Sequence, residues 1–402
     1  MNSDSRMKRR AFLLIILFGI ISLFADMIYE GARSVNGPYL ALLGANAAIV
    51  GFVAGAGELA GYGIRVLSGY FSDRTGWYWF FTFTGYGMLL AVPAMALTGI
   101  WQFAAFFIVL ERLGKAMRSP SKDTILSMVS SRVGRGLGFG LHEAMDQIGA
   151  FLGPMVFAAV FTYYSANGTA AASDYRRGYM LLIIPFALMF LSLVIARFAV
   201  PEPEKYELTP ADHSVIPEKF PPVFRAYALF SFFATCGFAV FTLIAFHLKY
   251  NSIVADAYIP VIYACAMLVD GAAAVIIGRV YDSRGMKLLL LMPVVTLPVA
   301  LLTFSINIYA VLAGAALWGI VMAMHETIMK AAIADLTHIS KRGLGYGIFN
   351  AVYGAALFAG GTIMGWLYSN SGYAAIVIFA ASMELIAIVI YFRVLRGHIQ
   401  MD

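Results

Sequence analysis

Stretches of about 20 apolar residues recur along the whole chain, and each is long enough to cross roughly 30 Å of hydrocarbon as a helix. Hydrophobic residues make up 61% of the 402 residues and charged residues only 12%, which excludes a soluble globular domain. The sequence therefore predicts an all-α membrane protein with 12 transmembrane helices. The predicted spans lie near residues 11–33, 45–68, 77–98, 101–128, 133–165, 178–198, 224–250, 255–280, 286–304, 308–335, 342–368 and 373–395.

The distribution of Lys and Arg predicts how the chain is oriented in the membrane. The first apolar stretch is longer than a signal peptide's and lacks a small-residue cleavage site, so we expect it to be retained. Basic residues concentrate on the loops and tails of the N-terminal side, whereas the opposite side holds Arg176, Arg177 and Lys249. This bias predicts a multi-pass protein of the cell (inner) membrane with both termini in the cytoplasm. The net charge of +6 follows from it and does not indicate a nucleic-acid partner.

One long polar stretch, rich in Pro and charge, divides the predicted spans into six and six. The predicted domains are an N-terminal six-helix bundle over 1–199, a cytoplasmic linker over 200–223 and a C-terminal six-helix bundle over 224–402.

The two halves also resemble each other in sequence. RGLGFGLHEAMDQIG, starting at Arg135, matches RGLGYGIFNAVYGAA, starting at Arg342, at an offset of 207 residues. GYFSDRTG, starting at Gly69, matches GRVYDSRG, starting at Gly278. Internal repeats of this kind are typical of secondary transporters.

Three motifs follow one another along the first half. They are Gly69, Asp73, Arg74 and Gly76 after the second span, Arg112 and Gly114 in the fourth, and Gly140, Gly149, Gly153 and Pro154 in the fifth. In this order the chain resembles the major facilitator superfamily over essentially its whole length, and its fifth span is similar to that of the family's antiporters. The resemblance implies two six-helix bundles with inverted repeats around a central cavity, and transport by alternating access. Trp77, Tyr78 and Trp79 stand where the family's loop usually has basic residues.

Each motif also has a physical role. Glycine gives the loop its backbone freedom, while Asp73 and Arg74 provide charged contacts that hold neighbouring helices together. The same residue types recur at Asp282 and Arg284, so we predict a conformational latch in both halves. The glycines of the fifth span allow close helix approach, and Pro154 bends the helix.

Ionisable side chains inside the spans are the candidate functional residues, because each is costly in hydrocarbon unless it is paired or faces water. The candidates for substrate and proton coupling are Asp26, Glu30, Arg33, Glu111, Arg112, His142, Glu143, Asp146, His325 and Glu326. The resemblance implies that helices 1, 4, 7 and 10 line the cavity, turning Asp26, Glu30, Arg112, His325 and Glu326 toward it.

A carboxyl group in such a cavity holds a proton more readily than in water, and an adjacent Arg opposes this. Pairing with Arg33 or Arg112 in one conformation alone would couple protonation to the conformational change. Static ion pairing is the alternative for Asp26 and Glu30. For the three ionisable residues of the fifth span, a structural network with Arg residues of helices 2 or 4 is the alternative. Glu384 and His247 are expected to snorkel or to line a cavity rather than to carry a proton.

The leading hypothesis is a secondary active transporter for proton-coupled export of drug-like or amphiphilic molecules. The alternatives are proton-coupled uptake of an organic acid or sugar, and a non-transporting membrane receptor or scaffold. The expected partners are a small-molecule substrate, protons and the lipid bilayer, and the expected state is a monomer. No enzyme is predicted, since no nucleophile has a neighbouring base, and no cofactor or metal is predicted. A metal site from Asp26, Glu30, His142 or His325 is a minor alternative.

Overall fold

The computed structural model describes residues 3–130, 133, 135–206, 222–337 and 342–395. Within these residues the fold is all-α, with twelve helical segments, as predicted. The segments are α1 (Ser3–Leu42), α2 (Ala47–Thr75), α3 (Tyr78–Leu97), α4 (Trp101–Ser130), α5 (Arg135–Tyr164), α6 (Ala172–Ala199), α7 (Pro222–Cys236, then Phe241–Tyr250), α8 (Tyr258–Arg284), α9 (Leu291–Thr303), α10 (Ile308–Leu336), α11 (Arg342–Ser371) and α12 (Tyr373–Ile390).

Ten stretches of the described chain are long and apolar enough to span a membrane. They include every segment except α4, with α8 and α9 joined as Tyr258–Thr303. α4 starts with apolar residues but carries Glu111, Arg112, Lys115 and Arg118 near its middle. Charge of this density inside a helix of a membrane protein indicates a surface that faces other helices or water rather than lipid.

The repeated loop motif ends in a glycine with a positive φ in both halves. Gly76 has a φ of +67° and Gly285 a φ of +58°. Residues with a Cβ rarely adopt this left-handed region, so glycine is required at both turns.

The chain divides into two compact units. Unit 1 comprises Met1–Val35 and Gly63–Asp212, and unit 2 comprises Asn36–Tyr62 and His213–Asp402. The predicted linker, residues 200–223, lies outside the described residues from 207 to 221. The predicted domain boundaries at 199 and 224 stay a prediction.

In unit 1, glycines let helix backbones approach closely. A Cβ placed on Gly31 of α1 would lie 2.9 Å from the Gly153 carbonyl oxygen of α5. A Cβ on Gly153 would run into the Met27 carbonyl, and one on Gly149 would run into the Leu23 carbonyl and lie 3.1 Å from the Asp26 Cβ. This close α1–α5 packing fixes the position of Asp26 relative to the polar face of α5.

In unit 2, α7 is interrupted within the membrane-spanning stretch Val223–Tyr250. Its first part ends at Cys236 and its second begins at Phe241. The connecting backbone is held by α10, where the indole Nε1 of Trp318 donates to the Ala239 carbonyl over 2.8 Å. The Trp318 ring also stacks on Phe238, with 5.4 Å between the ring centroids.

Trp318→Phe is expected to lower the free energy of unfolding by about 1–3 kcal/mol, because it leaves a buried carbonyl without its donor. The residue is fully buried, so water does not replace the indole. Thermal unfolding of the purified chain in detergent measures the loss. Trp366→Phe at an exposed position of α11 is the control, and equal midpoints for the two variants would contradict the assigned role.

Candidate functional site

A polar cavity of about 70 Å³ lies inside unit 1, between α1, α3, α4 and α5. Its charged lining residues are Asp26, Lys115, Arg118, Lys122 and Asp146. Three cations therefore face two carboxylates. Since a water molecule occupies about 30 Å³ in the liquid, the cavity has room for about two waters or one carboxylate group.

The three cations lie on one face of α4. Lys115, Arg118 and Lys122 are spaced by three and four residues, which places them one above another on a helix. Arg118 is 4% exposed, and its Nη1 has no hydrogen-bond partner in the described part of the chain. Its guanidinium carbon lies 5.0 Å from the centroid of the Tyr86 ring, which fixes its direction along the cavity wall.

Asp26 is the carboxylate that α1 contributes. The charges that act on it are those of Asp146, Lys115, Glu30 and Arg118. Asp26 is half-buried and interacts with two carboxylates and two cations. A proton gained or lost at Asp26 changes the balance of charge across the whole cavity.

A chain of hydrogen bonds joins α4 to α5 at one side of the cavity. The Lys122 ammonium lies 3.0 Å from the His142 Nε2, and the His142 Nδ1 lies 3.3 Å from the Asp146 Oδ2. An ammonium has only donors, so Nε2 accepts and the Nδ1 proton faces Asp146. The geometry thus fixes a neutral imidazole in one tautomer, and protonating Nε2 would break its bond to Lys122.

The ring of Tyr29 contacts two cations of α4, the cavity residue Lys115 and, in addition, Arg112. The Lys115 ammonium lies 3.8 Å from the ring centroid and the Arg112 guanidinium carbon 4.5 Å from it. Arg112 also donates to the Tyr29 hydroxyl. Cation–π contacts of this kind stabilise a desolvated cation while leaving its charge uncompensated.

Some predicted coupling residues form ion pairs beside this cavity. Arg33 pairs with Glu30 over 3.7 Å, and Arg112 pairs with Glu111 over 3.6 Å. Glu143 is exposed on α5 and accepts from Gln147.

His325 and Glu326 lie in unit 2. His325 is buried with its Nδ1 3.0 Å from the Tyr353 hydroxyl, and Glu326 is exposed. Of the ten predicted coupling residues, the structure thus brings Asp26, His142 and Asp146 together at the cavity and its bordering chain.

The predicted latch residues lie toward the ends of α2 and α8, and all but the half-buried Gly69 are exposed. Arg74 donates to the Tyr70 hydroxyl over 2.9 Å, and a Cβ on Gly69 would lie 3.5 Å from the Pro120 side chain. Asp73, Asp282 and Arg284 are exposed. Their role as a latch stays a prediction.

The predicted packing motif of α5 has two kinds of glycine. Gly149 and Gly153 lie against the α1 backbone, whereas a Cβ on Gly140 would meet no described atom within 4 Å. Pro154 lies inside the helix, directly after Gly153.

Sequence reasoning did not select the cations that line the cavity. Lys115, Arg118 and Lys122 stand out as a single helical face only once α4 is aligned as a helix. Their spacing of three and four residues was the sequence feature that could have identified them as one face. Tyr29 and Tyr86 carried no signal, because aromatic residues in a membrane span more often contact lipid or core.

His142→Leu is expected to lower the unfolding free energy by about 1–3 kcal/mol, because it removes one hydrogen-bond partner from each of Lys122 and Asp146. His142→Gln should recover part of this, since the Gln amide has both an acceptor and a donor. Thermal unfolding of the two variants measures the difference. Equal loss in both would show that imidazole packing, rather than the hydrogen-bond chain, is what matters.

Comparison with known proteins places the chain in a family. The model of the Major Facilitator Superfamily matches residues 11–297 and 228–399. Uncharacterised proteins of Mycobacterium bovis and Mycobacterium tuberculosis are 36% identical over 389 residues, covering 96% of this chain and 93% of theirs. An uncharacterised MFS-type transporter of Methanocaldococcus jannaschii is 26% identical over 385 residues, covering 89% of each chain.

Solved structures with the same fold are transporters. The nucleoside transporter NupG superposes with a TM-score of 0.75 at 12% identity, covering 94% of this chain and 99% of NupG. A bacterial homologue of the human lysosomal transporter Spinster, in an inward-facing and unoccupied conformation, gives a TM-score of 0.72 at 12% identity, covering 96% and 97%. The chain belongs to the major facilitator superfamily and is a secondary transporter that works by alternating access.

Proposed function

We propose that this transporter carries a small organic anion together with a proton, and that the anionic group enters the polar cavity of unit 1. The observation that supports this best is the excess of cations over carboxylates in the cavity. Arg118 is the residue expected to bind the anion, because its Nη1 is buried in the cavity without a partner among the described residues. A guanidinium binds a carboxylate through two parallel hydrogen bonds.

Proton coupling follows from the arrangement of charge around Asp26. Lys115 and Arg118 both act on Asp26, and an incoming anion would compete with it for them. Protonating Asp26 removes this competition, so the proton strengthens anion binding and, by linkage, the anion strengthens proton binding. Acid pH should therefore tighten binding of an anion whose own charge does not change.

Binding of a panel of solutes to the purified chain tests the anion specificity. The panel comprises carboxylates, sugars and lipophilic cations, and the readout is the shift in thermal unfolding midpoint with solute concentration. We expect stabilisation by carboxylates, increasing at lower pH. Arg118→Gln should weaken binding about 10- to 100-fold, which corresponds to the loss of a charged hydrogen bond of about 1.5–3 kcal/mol.

Arg225→Gln, at an exposed position at the start of α7, is the matched control and should bind like the unmodified chain. Equal weakening in both variants, or stabilisation by lipophilic cations alone, would overturn the proposal.

Export of an amphiphilic, drug-like molecule is the second candidate, and a separate cavity favours it. Unit 2 contains an almost wholly apolar cavity of about 430 Å³, lined among others by Tyr258, Ile262, Cys265 and Leu312. Its size suits a drug-sized apolar group. Cys265→Trp would place a large ring in the cavity, so it should lower transport of an amphiphile and leave carboxylate binding in unit 1 unchanged.

A further inference from the structure

The interruption of α7 brings irregular backbone next to a buried acid of α12. Non-helical backbone at membrane depth is tolerated where it is buried in protein or lines a water-filled cavity, and in transporters such interruptions often accompany ion sites. Gly237 is the first residue of the interruption. A Cβ placed on it would run into the Glu384 Oε1 and lie 3.1 Å from both the Glu384 carboxyl carbon and the Ala380 carbonyl oxygen.

Glu384 is fully buried, with an exposed fraction of 0%. Neither carboxyl oxygen has a hydrogen-bond partner in the described part of the chain. The side chain therefore does not snorkel toward water, which was one of the two roles expected from the sequence. An ionised carboxylate in such a place would lose its hydration without any compensating contact, which costs many kcal/mol.

Among the residues that the structure describes, no cation lies beside Glu384 to balance its charge. α12 packs against α7, α9 and α11. The titratable group that faces Glu384 from α7 is the Cys236 thiol, and α9 has no ionisable residue. The three tyrosines of α11 are engaged elsewhere, Tyr346 with the Lys330 carbonyl, Tyr353 with His325 and Tyr368 with His247.

We propose that Glu384 is a second proton-binding site of this transporter, in unit 2 and separate from the polar cavity of unit 1. The site is loaded and emptied when the backbone at Gly237–Val240 changes conformation, because that backbone closes off one side of the carboxyl group. The proposal extends the proton coupling inferred above and in that sense rests on it. A proton is favoured over an alkali cation because a metal ion needs a shell of several oxygens, and the described groups beside the carboxyl group are the Gly237 backbone and the Cys236 thiol.

Infrared spectroscopy of the purified chain in lipid tests the proposal without any solute. A protonated carboxyl group gives a carbonyl band that is separate from the amide bands and shifts in heavy water. We expect the difference between the unmodified chain and Glu384→Gln to contain one such band near neutral pH. The band should be the same in sodium and choline buffers. Glu202→Gln, at an exposed position outside the spans, is the control and should leave the band in place.

Two results would overturn the proposal. The first is an identical carboxyl band in the unmodified chain and Glu384→Gln. The second is a band that disappears when sodium is added, which would make the site a sodium site instead. If Glu384→Gln does not fold, Glu384→Asp keeps the acid, and the band should then move in frequency rather than vanish. The infrared measurement requires no transport. Its outcome therefore does not depend on whether the solute is an organic anion.

Discussion

Asp26→Asn is expected to abolish proton-driven accumulation of the solute while exchange of solute across the membrane continues. Asn resembles the protonated acid, so the cations that act on Asp26, Lys115 and Arg118, stay available to the anion without a proton. The transporter then becomes a facilitator. A gradient of one pH unit is worth about 1.4 kcal/mol per proton, or a tenfold concentration ratio. The accumulation ratio should therefore fall from about tenfold to about one.

Two measurements on the same proteoliposomes separate coupling from transport. Solute exchange at equal pH reports binding and the conformational change, and accumulation under a pH gradient reports coupling. Glu202→Gln should behave like the unmodified chain in both. Loss of exchange together with accumulation in Asp26→Asn would assign Asp26 a structural role instead.

Gly153→Ala is expected to destabilise the protein by about 3 kcal/mol or more, or to prevent its assembly. The added methyl group would collide with the Met27 carbonyl and lie 2.8 Å from the Gly31 nitrogen, and both are backbone atoms that cannot turn aside. Overpacking a core by one methyl commonly costs 1–3 kcal/mol, and a clash with backbone belongs at the upper end.

Gly140→Ala is the matched control on the same helix. A Cβ there meets no described atom within 4 Å, and Ala favours helix over Gly by up to about 1 kcal/mol. This variant should be neutral or slightly more stable in thermal unfolding. Equal stability of the two variants would refute the close α1–α5 packing that positions Asp26.

The fold was largely predictable from the sequence because the length of an apolar stretch is set by bilayer thickness. The length of the apolar stretches located all twelve helical segments. These include α4, whose charged residues exclude it from the stretches that are apolar enough to span a membrane by hydropathy. The interruption of α7 was not predictable. Gly237 is the sole breaker residue among the four at the break, and the indole of Trp318 that holds the break comes from a helix about 80 residues away.

The site was predictable in part. Asp26, His142 and Asp146 were found because an ionisable group in a span is unusual in itself. The rotation of α4 about its axis decides which of its cations face Asp26, His142 and Asp146. That rotation depends on packing against α1 and α5, and no local sequence pattern encodes it. For the same reason the sequence left Glu384 either to snorkel or to line a cavity, since its depth and its neighbours come from the packing of α12 on α7.

Whether the transporter carries an anion together with a proton is tested most directly by proton movement in proteoliposomes that contain a pH dye. We expect an external carboxylate to acidify the lumen. Protein-free liposomes should respond far less, and Arg118→Gln should lose the protein-dependent response. Acidification that is equal with and without protein, or a proton movement caused by lipophilic cations in the opposite direction, would contradict this expectation.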